Sequence, residues 1–293
     1  MPWGLLGGLA RIEITLNQPM YVAGETVRAT IVVHALEDVE LRAAHASLVF
    51  DNRYTYRTRR RTKNGTTTVS SSASDTRVAH SIAFLSAGTL ASGSQQQFEL
   101  EFPSLHDMPP TAVGAITSID WSIQVKLDIP NAVDATASVP VVLLSRSETY
   151  ASWATDETFG SDQNACLIDL HLEQQVVRPG DTLNGMVTIT PRSDFSATDF
   201  RVELVRREEV PRDQGNLAEE SVSSVILMEN PTITSGMVYE LPLQLPVPPT
   251  ASASYRTDNA AVHWAIKAVV ARRFRTDFHA LKEVVIFNGP ADA

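Results

Sequence analysis

The chain has 293 residues, with 34 Asp and Glu against 24 Lys and Arg for a formal charge of −10. That balance excludes general nucleic-acid binding, which needs cationic faces that displace counterions from phosphate. A single cysteine, Cys166, excludes an internal disulfide, so apolar cores must hold the fold, as suits a reducing compartment.

The length suggests two domains of sandwich size. The N-terminus, MPWGLLGGLA, is apolar but lacks the basic and hydrophobic regions of a secretory signal. No apolar run approaches the roughly 20 residues that span a bilayer. The expectation is therefore a soluble, cytoplasmic protein. Trp3-Gly4-Leu5-Leu6 is read as packing at a sandwich edge in preference to touching a membrane interface.

In chain order, the first strong signal is alternation with period two. Ile12, Ile14 and Leu16 fall on one face of Arg11–Leu16. Strands are predicted next at Val27–Val33, His45–Arg57, Gln96–Phe102, Ser118–Asp128 and Ser138–Leu144. Leu167–Leu172 then repeats the opening pattern. It is followed by Thr182–Thr190, Asp199–Arg206, Val222–Met228, Met237–Leu245, Ala261–Arg272 and His279–Phe287. These runs are short, rich in Val, Ile and Thr, and separated by Gly, Pro, Asn and Ser, as in β-sandwiches. No long segment has helical periodicity. The fold class predicted is all-β, with two tandem antiparallel β-sandwiches of immunoglobulin-like build.

An internal repeat supports the duplication. Ile12–Val33 overlays Ile168–Ile189 without a gap, at an offset of 156 residues. Gly24-Glu25-Thr26-Val27 then meets Gly180-Asp181-Thr182-Leu183. A later block repeats at an offset of 143: Phe102-Pro103 meets Leu245-Pro246, and Trp121-Ser122-Ile123 meets Trp264-Ala265-Ile266. The offsets differ by 13, so the first half holds about that many additional residues between the blocks. They fall in the polar stretch around Arg57–Arg77. Between the halves, Ser145–Ala165 is polar and does not alternate, although Tyr150, Trp153 and Phe159 are too apolar for a free tether. The domains expected are 1–147, a linker over 148–164, and 165–293.

No nucleophile elbow, zinc-protease helix, P-loop or dinucleotide fingerprint occurs, so an enzyme is not expected and neither is a cofactor. Asp169, His171 and Glu173 share one face of a strand and have metal-ligand chemistry. The solvated face of an amphipathic strand explains them better, and no metal site is expected. Cys166 has no histidine nearer than His171 and reads as a buried or strand-edge thiol. Asn64-Gly65-Thr66 is a sequon with no secretory signal to make use of it.

The segment that stands apart is Tyr54–Arg77. Asn64-Gly65 is a strong two-residue hairpin turn, because a type I′ turn needs positive φ at both central positions. Arg57, Arg59, Arg60, Arg61 and Lys63 lie on the first arm, and Ser and Thr fill the second. The reading is a projecting, mobile basic finger on an acidic protein. Guanidinium forks bind carboxylate and phosphate with two parallel hydrogen bonds, so the finger could hold an anionic or phosphorylated protein segment, or an anionic membrane surface. The alternative is a solubilising loop whose charges block strand-to-strand aggregation.

Three stretches resemble the arrestin fold family. They are Tyr21-Val22-Ala23-Gly24-Glu25-Thr26-Val27, the course from Leu90-Ala91-Ser92-Gly93 through Phe98–Pro103 to Met108-Pro109-Pro110-Thr111, and Ile119–Asp128. The second half adds Val177-Arg178-Pro179-Gly180-Asp181 and His263-Trp264-Ala265-Ile266-Lys267. The chain looks nearest to the bacterial sporulation-control and retromer-subunit-like members, and no Pro-Pro-x-Tyr docking motif is present. The resemblance implies a non-enzymatic adaptor, scaffold or regulator that binds protein partners through sheet edges and concave faces. Two alternatives stay open: a self-assembling structural protein that forms homo-oligomers through sheet edges, and an anionic lipid- or ligand-binding module with peripheral membrane contact.

Overall fold

The computed structural model describes residues 8–62, 65–160 and 165–290. Trp3-Gly4-Leu5-Leu6, Lys63 and Asn64 lie outside the described residues. The chain divides into two compact units. The first comprises the described part of Met1–Tyr54, with Ser72–Val113 and Ser118–Ser145. The second comprises Thr55–Ser71, Gly114–Thr117 and the described part of Arg146–Ala293.

Both units are β-sandwiches, as expected. The first half of the chain opens with β1 (Ala10–Leu16), β2 (Met20–Val22), β3 (Thr26–Ala35) and β4 (Val39–Leu41). A long hairpin follows, made of β5 (Ala43–Thr62) and β6 (Gly65–Leu85). Then come β7 (Gly88–Leu90), β8 (Gln95–Pro103), β9 (Ala112–Val113), β10 (Thr117–Asp128) and β11 (Ala135–Leu144). One sheet has the order β1-β3-β8, and the other β2-β11-β10-β5-β6. Alternation sends Ile12, Val27, Ile31, Val33 and Phe102 inward from the small sheet. Leu48, Ile119, Trp121, Ile123, Val125 and Leu127 are buried on the large one. Each such side chain contributes about 1.5–3 kcal/mol on burial.

The second half repeats this plan. It contains β12 (Phe159–Gly160), β13 (Cys166–Leu172), β14 (Val176–Val177), β15 (Thr182–Pro191) and β16 (Phe195–Ser196). After them come β17 (Asp199–Val210), β18 (Asn216–Glu229), β19 (Thr232–Ile233) and β20 (Tyr239–Pro246), then β21 (Tyr255–Arg256), β22 (Ala261–Ala271) and β23 (Phe278–Ile286). The small sheet is β13-β15-β20 and the large one β12-β23-β22-β17-β18. Each unit also contains one parallel pair, β2 with β11 and β14 with β23, so the sheets are mixed and not purely antiparallel.

The repeat is visible in single hydrogen bonds. Gly24 and Gly180 take φ of 93° and 90° at the corners after β2 and β14, a region open to glycine at little steric cost. The acid that follows each glycine accepts from the backbone three residues back. Val22 N donates to Glu25 Oε2, and Arg178 N to Asp181 Oδ2, each at 2.8 Å. Trp121 Nε1 donates to Pro109 O at 2.9 Å and Trp264 Nε1 to Ser252 O at 3.0 Å, twelve residues upstream in both cases.

The 13-residue difference lies in strand and not in loop. β17 ends at Val210 and β18 starts at Asn216, whereas β5 runs on to Thr62 and β6 starts at Gly65. The hairpin is thus a continuation of sheet strands. All of β6 (Gly65–Leu85) is missing from the predicted strands; from Gly65 to Thr76, Ser and Thr leave no apolar alternation to read.

Candidate functional site

The basic hairpin is rooted by backbone hydrogen bonds within the second unit. Thr55 N donates to Ile116 O at 2.8 Å, Arg57 N to Gly215 O at 3.2 Å, and Gln214 N to Arg57 O at 3.1 Å. Asn216 Nδ2 donates to Thr55 O at 3.0 Å, and the Arg212 guanidinium lies 4.6 Å over the Tyr56 ring. The turn that receives the hairpin, between β17 and β18, is shaped by Asp213 and Gly215 at φ of 54° and 69°. Gly65 opens the returning arm at φ 128°.

Beyond this root, strand geometry orders the cations. Arg57, Arg59 and Arg61 share one face at a spacing of roughly 6.6 Å, while Arg60 points to the other face. All four are exposed, and among the described residues none has an ion-pair partner. Arg57 also lines a cavity of about 290 Å³ with Arg207, Glu209, Gln214 and Asn216. Arg207 has no sequence signal that marks it. It comes from β17, about 150 residues away, and only the tertiary fold brings it beside Arg57.

On the opposite face of the same strand, Glu208 is only 1 % exposed. Its carboxylate accepts from Ala115 N and Ile116 N, both at 2.8 Å, and pairs with Arg206 at 3.2 Å. Arg206 also reaches Glu220 at 3.0 Å. Tyr255 Oη donates to Thr117 Oγ1 at 3.0 Å, and burial raises the phenol's pKa. This buried polar group holds Gly114–Thr117 beside β17.

A second groove, of about 380 Å³, lies on the outer face of β17, β22 and β23 and shares Arg207 and Glu209 with the first cavity. The segment after β11 packs beside it. Trp153, in the short 3-10 turn Ala151–Trp153, stacks on His263 at 4.7 Å and lies under the Arg256 guanidinium at 5.0 Å. Tyr150 is buried and touches Trp153 at 4.7 Å. Phe159 pairs in β12 with Leu281 and leaves half its surface open. Lys282, nearly buried, donates to Asp156 O and Leu170 O, each at 3.0 Å, and so fastens this segment to β13.

Burial lowers the His263 pKa, with Arg256 adding to the effect and Glu209 opposing it. The fold therefore favours the neutral ring. Unfolding binds an additional proton once pH drops below the ordinary value of 6.5, so stability is complete above that pH and is lost as pH falls toward the folded pKa. Urea melts between pH 7.5 and 5 are expected to show a midpoint that falls with acidification, with a shallower fall in His263→Phe. Identical slopes for the two proteins would refute this.

The other sequence candidates are dispersed. Asp169 Oδ1 accepts from Thr158 Oγ1 at 3.1 Å, and Cys166 is buried in β13. Among the described residues no three His, Cys, Asp or Glu side chains gather as a metal-binding group, and no helix is long and apolar enough to cross a membrane.

Residues 7–147 match the family described as Arrestin (or S-antigen), C-terminal domain. The match falls on the first half of the chain, whose strand order the second half repeats. No curated protein matches the chain. The match over residues 7–147 supports an arrestin-type fold for the first half of the chain, and the second half repeats its strand order.

Proposed function

We propose that this arrestin-fold chain is a non-enzymatic, cytoplasmic adaptor that binds an anionic protein segment through Arg57, Arg59, Arg60 and Arg61. Its sandwiches, read as 1–147 and 165–293 with the linker 148–164 between them, offer sheet edges and concave faces to protein partners. The observation that carries the reading is the root of the hairpin. Four guanidinium groups, with no ion-pair partner among the described residues, stand on β5, whose base is held by four hydrogen bonds, and the Arg57 face continues to Arg207. A merely solubilising loop needs charge but no such anchorage, and a fixed row of guanidinium forks suits carboxylate or phosphate oxygens.

The test is fluorescence anisotropy with a Glu-rich peptide and its phosphoserine counterpart, read over a series of salt concentrations. Arg57, Arg59, Arg60 and Arg61 replaced together by Ala are expected to weaken binding by about tenfold or more and to flatten its salt dependence. Unchanged affinity with an unchanged salt slope would discard the hairpin as a docking element.

A further inference from the structure

The turn between β22 and β23 carries an unexplained residue. It reads Arg272-Arg273-Phe274-Arg275-Thr276-Asp277, and its counterpart between β10 and β11 reads Ile129-Pro130-Asn131-Ala132-Val133-Asp134. The two turns are built alike. Ile129 N donates to Asp134 Oδ1 at 3.1 Å, and Arg272 N to Asp277 Oδ1 at 2.8 Å. Each places its third residue in the left-handed region, Asn131 at φ 60° and Phe274 at φ 60°.

Asparagine adopts that conformation readily, whereas a bulky aromatic side chain there is a strained outlier. The same molecule thus shows the easy solution and the strained one in the same turn. Phe274 does not earn its place by packing, for it is 93 % exposed. Strain that no buried contact repays points to an external use.

The surroundings say which use. Arg272 braces the turn: Nε donates to Thr276 O at 2.8 Å, its terminal nitrogen bonds the same oxygen, and its guanidinium lies 3.6 Å from the centre of the Phe278 ring. Arg273 lies over the Phe274 ring at 5.1 Å. Arg273 and Arg275 are exposed, and among the described residues neither pairs with a carboxylate. This is a rigid apolar anchor between two cations. A lipid surface accepts a ring in many orientations and rewards no such rigidity, and a net charge of −10 opposes an anionic bilayer. A shaped pocket with acidic groups rewards both features.

The chain has such a pocket in the outer-face groove of the second unit. Phe159, Val205 and Leu281 supply apolar walls, and Glu209, Glu219 and Glu283 supply carboxylates, in about 380 Å³. Of the cations near it, Arg256 is engaged over Trp153 and Lys267 pairs with Glu219 at 3.8 Å, while Arg207 lines the groove with Glu209 and Glu283. The anchor lies beyond the end of β22 and β23; Leu281, the lining residue nearest the turn, is three residues or roughly 10 Å along β23 from Phe278, and Phe274 lies four residues farther out in the turn, clear of its own pocket. We propose that the β22–β23 turn docks into the groove of a second copy of this chain, with Phe274 in the apolar part and Arg273 and Arg275 against the glutamates. Such a contact is heterologous, and repetition makes rings or open filaments.

The test is sedimentation velocity of the full chain over a concentration series. Wild type is expected to show an average mass that rises with concentration. Phe274→Asn keeps the turn, as Asn131 does, and is expected to leave monomer at every concentration. Arg273→Glu with Arg275→Glu should also stay monomeric alone, as should Glu209→Arg with Glu283→Arg. An equimolar mixture of the two charge-reversed proteins should recover assembly. A wild type that is monomeric throughout, assembly that survives Phe274→Asn, or a mixture that stays monomeric would each overturn the proposal. Co-sedimentation with phosphatidylserine vesicles, lost in Phe274→Asn, would assign the anchor to a membrane instead. Quadruple replacement of Arg57, Arg59, Arg60 and Arg61 should leave self-association unchanged, which separates this contact from the peptide site.

Discussion

Replacing Glu208 by Ala is expected to lower unfolding free energy by about 3 kcal/mol, because it removes the acceptor of two backbone N–H groups and the partner of a half-buried guanidinium at once. Ala115 N and Ile116 N lose their acceptor, and Arg206 keeps only the exposed Glu220. Glu208→Gln should fall between wild type and Ala, since its amide retains one carbonyl acceptor but presents donors to groups that are themselves donors. Gly114→Ala attacks the same place from the other side. A Cβ on Gly114 would lie 2.5 Å from a Glu208 carboxylate oxygen, so the acid must move and its bonds stretch. Urea denaturation checks all three. A loss under about 1 kcal/mol for Glu208→Ala would show that water replaces the carboxylate at little expense, and the polar group would then hold nothing.

Trp121→Ala and Trp264→Ala are each expected to cost about 3–5 kcal/mol, the range for large-to-small changes at fully packed aromatic positions. The two indoles are 2 % and 1 % exposed. Each removal leaves a cavity between sheets and strips a backbone carbonyl, Pro109 O or Ser252 O, of its donor. Because the environments repeat, the two losses should agree within about 1 kcal/mol. Trp→Phe at either position fills most of the volume but restores no N–H, so it should cost less than Ala and more than a volume-conserving swap. A large loss at one indole and none at the other would break the structural equivalence of the two halves.

The strained turn has a stability signature independent of any partner. Phe274→Asn should be neutral to stabilising, by up to about 1 kcal/mol, because an asparagine occupies the same left-handed position in the first unit.

Most of the sandwich plan was legible because inward and outward residues alternate. Ile12-Ile14-Leu16 and Ile168-Leu170-Leu172 announce β1 and β13, and Gly24 and Gly180 mark the corners where φ must be positive. The two- and three-residue strands were not legible. β2, β9, β14 and β21 are too short for any period to show, and their pairing is decided by the strands they lie against. The basic hairpin was legible as a charge cluster with an Asn-Gly turn. Its anchorage was not, since Gln214, Gly215 and Asn216 are ordinary turn residues until Arg57 is placed beside them. Phe274 passed unread for a related reason: Arg-Arg-Phe-Arg lacks the Gly and Asn that advertise a tight turn.

By itself the amino-acid order determined that the chain is all-β and duplicated, and that its additional residues carry cations. Those properties are written in period, offset and charge, each a relation between neighbours or between two copies. The tertiary structure alone decided which unit claims the hairpin, which carboxylate is buried, and that Arg207 joins Arg57. Such relations depend on strand pairing across 100 residues or more, and pairing is selected by the burial of whole faces, which no local pattern contains.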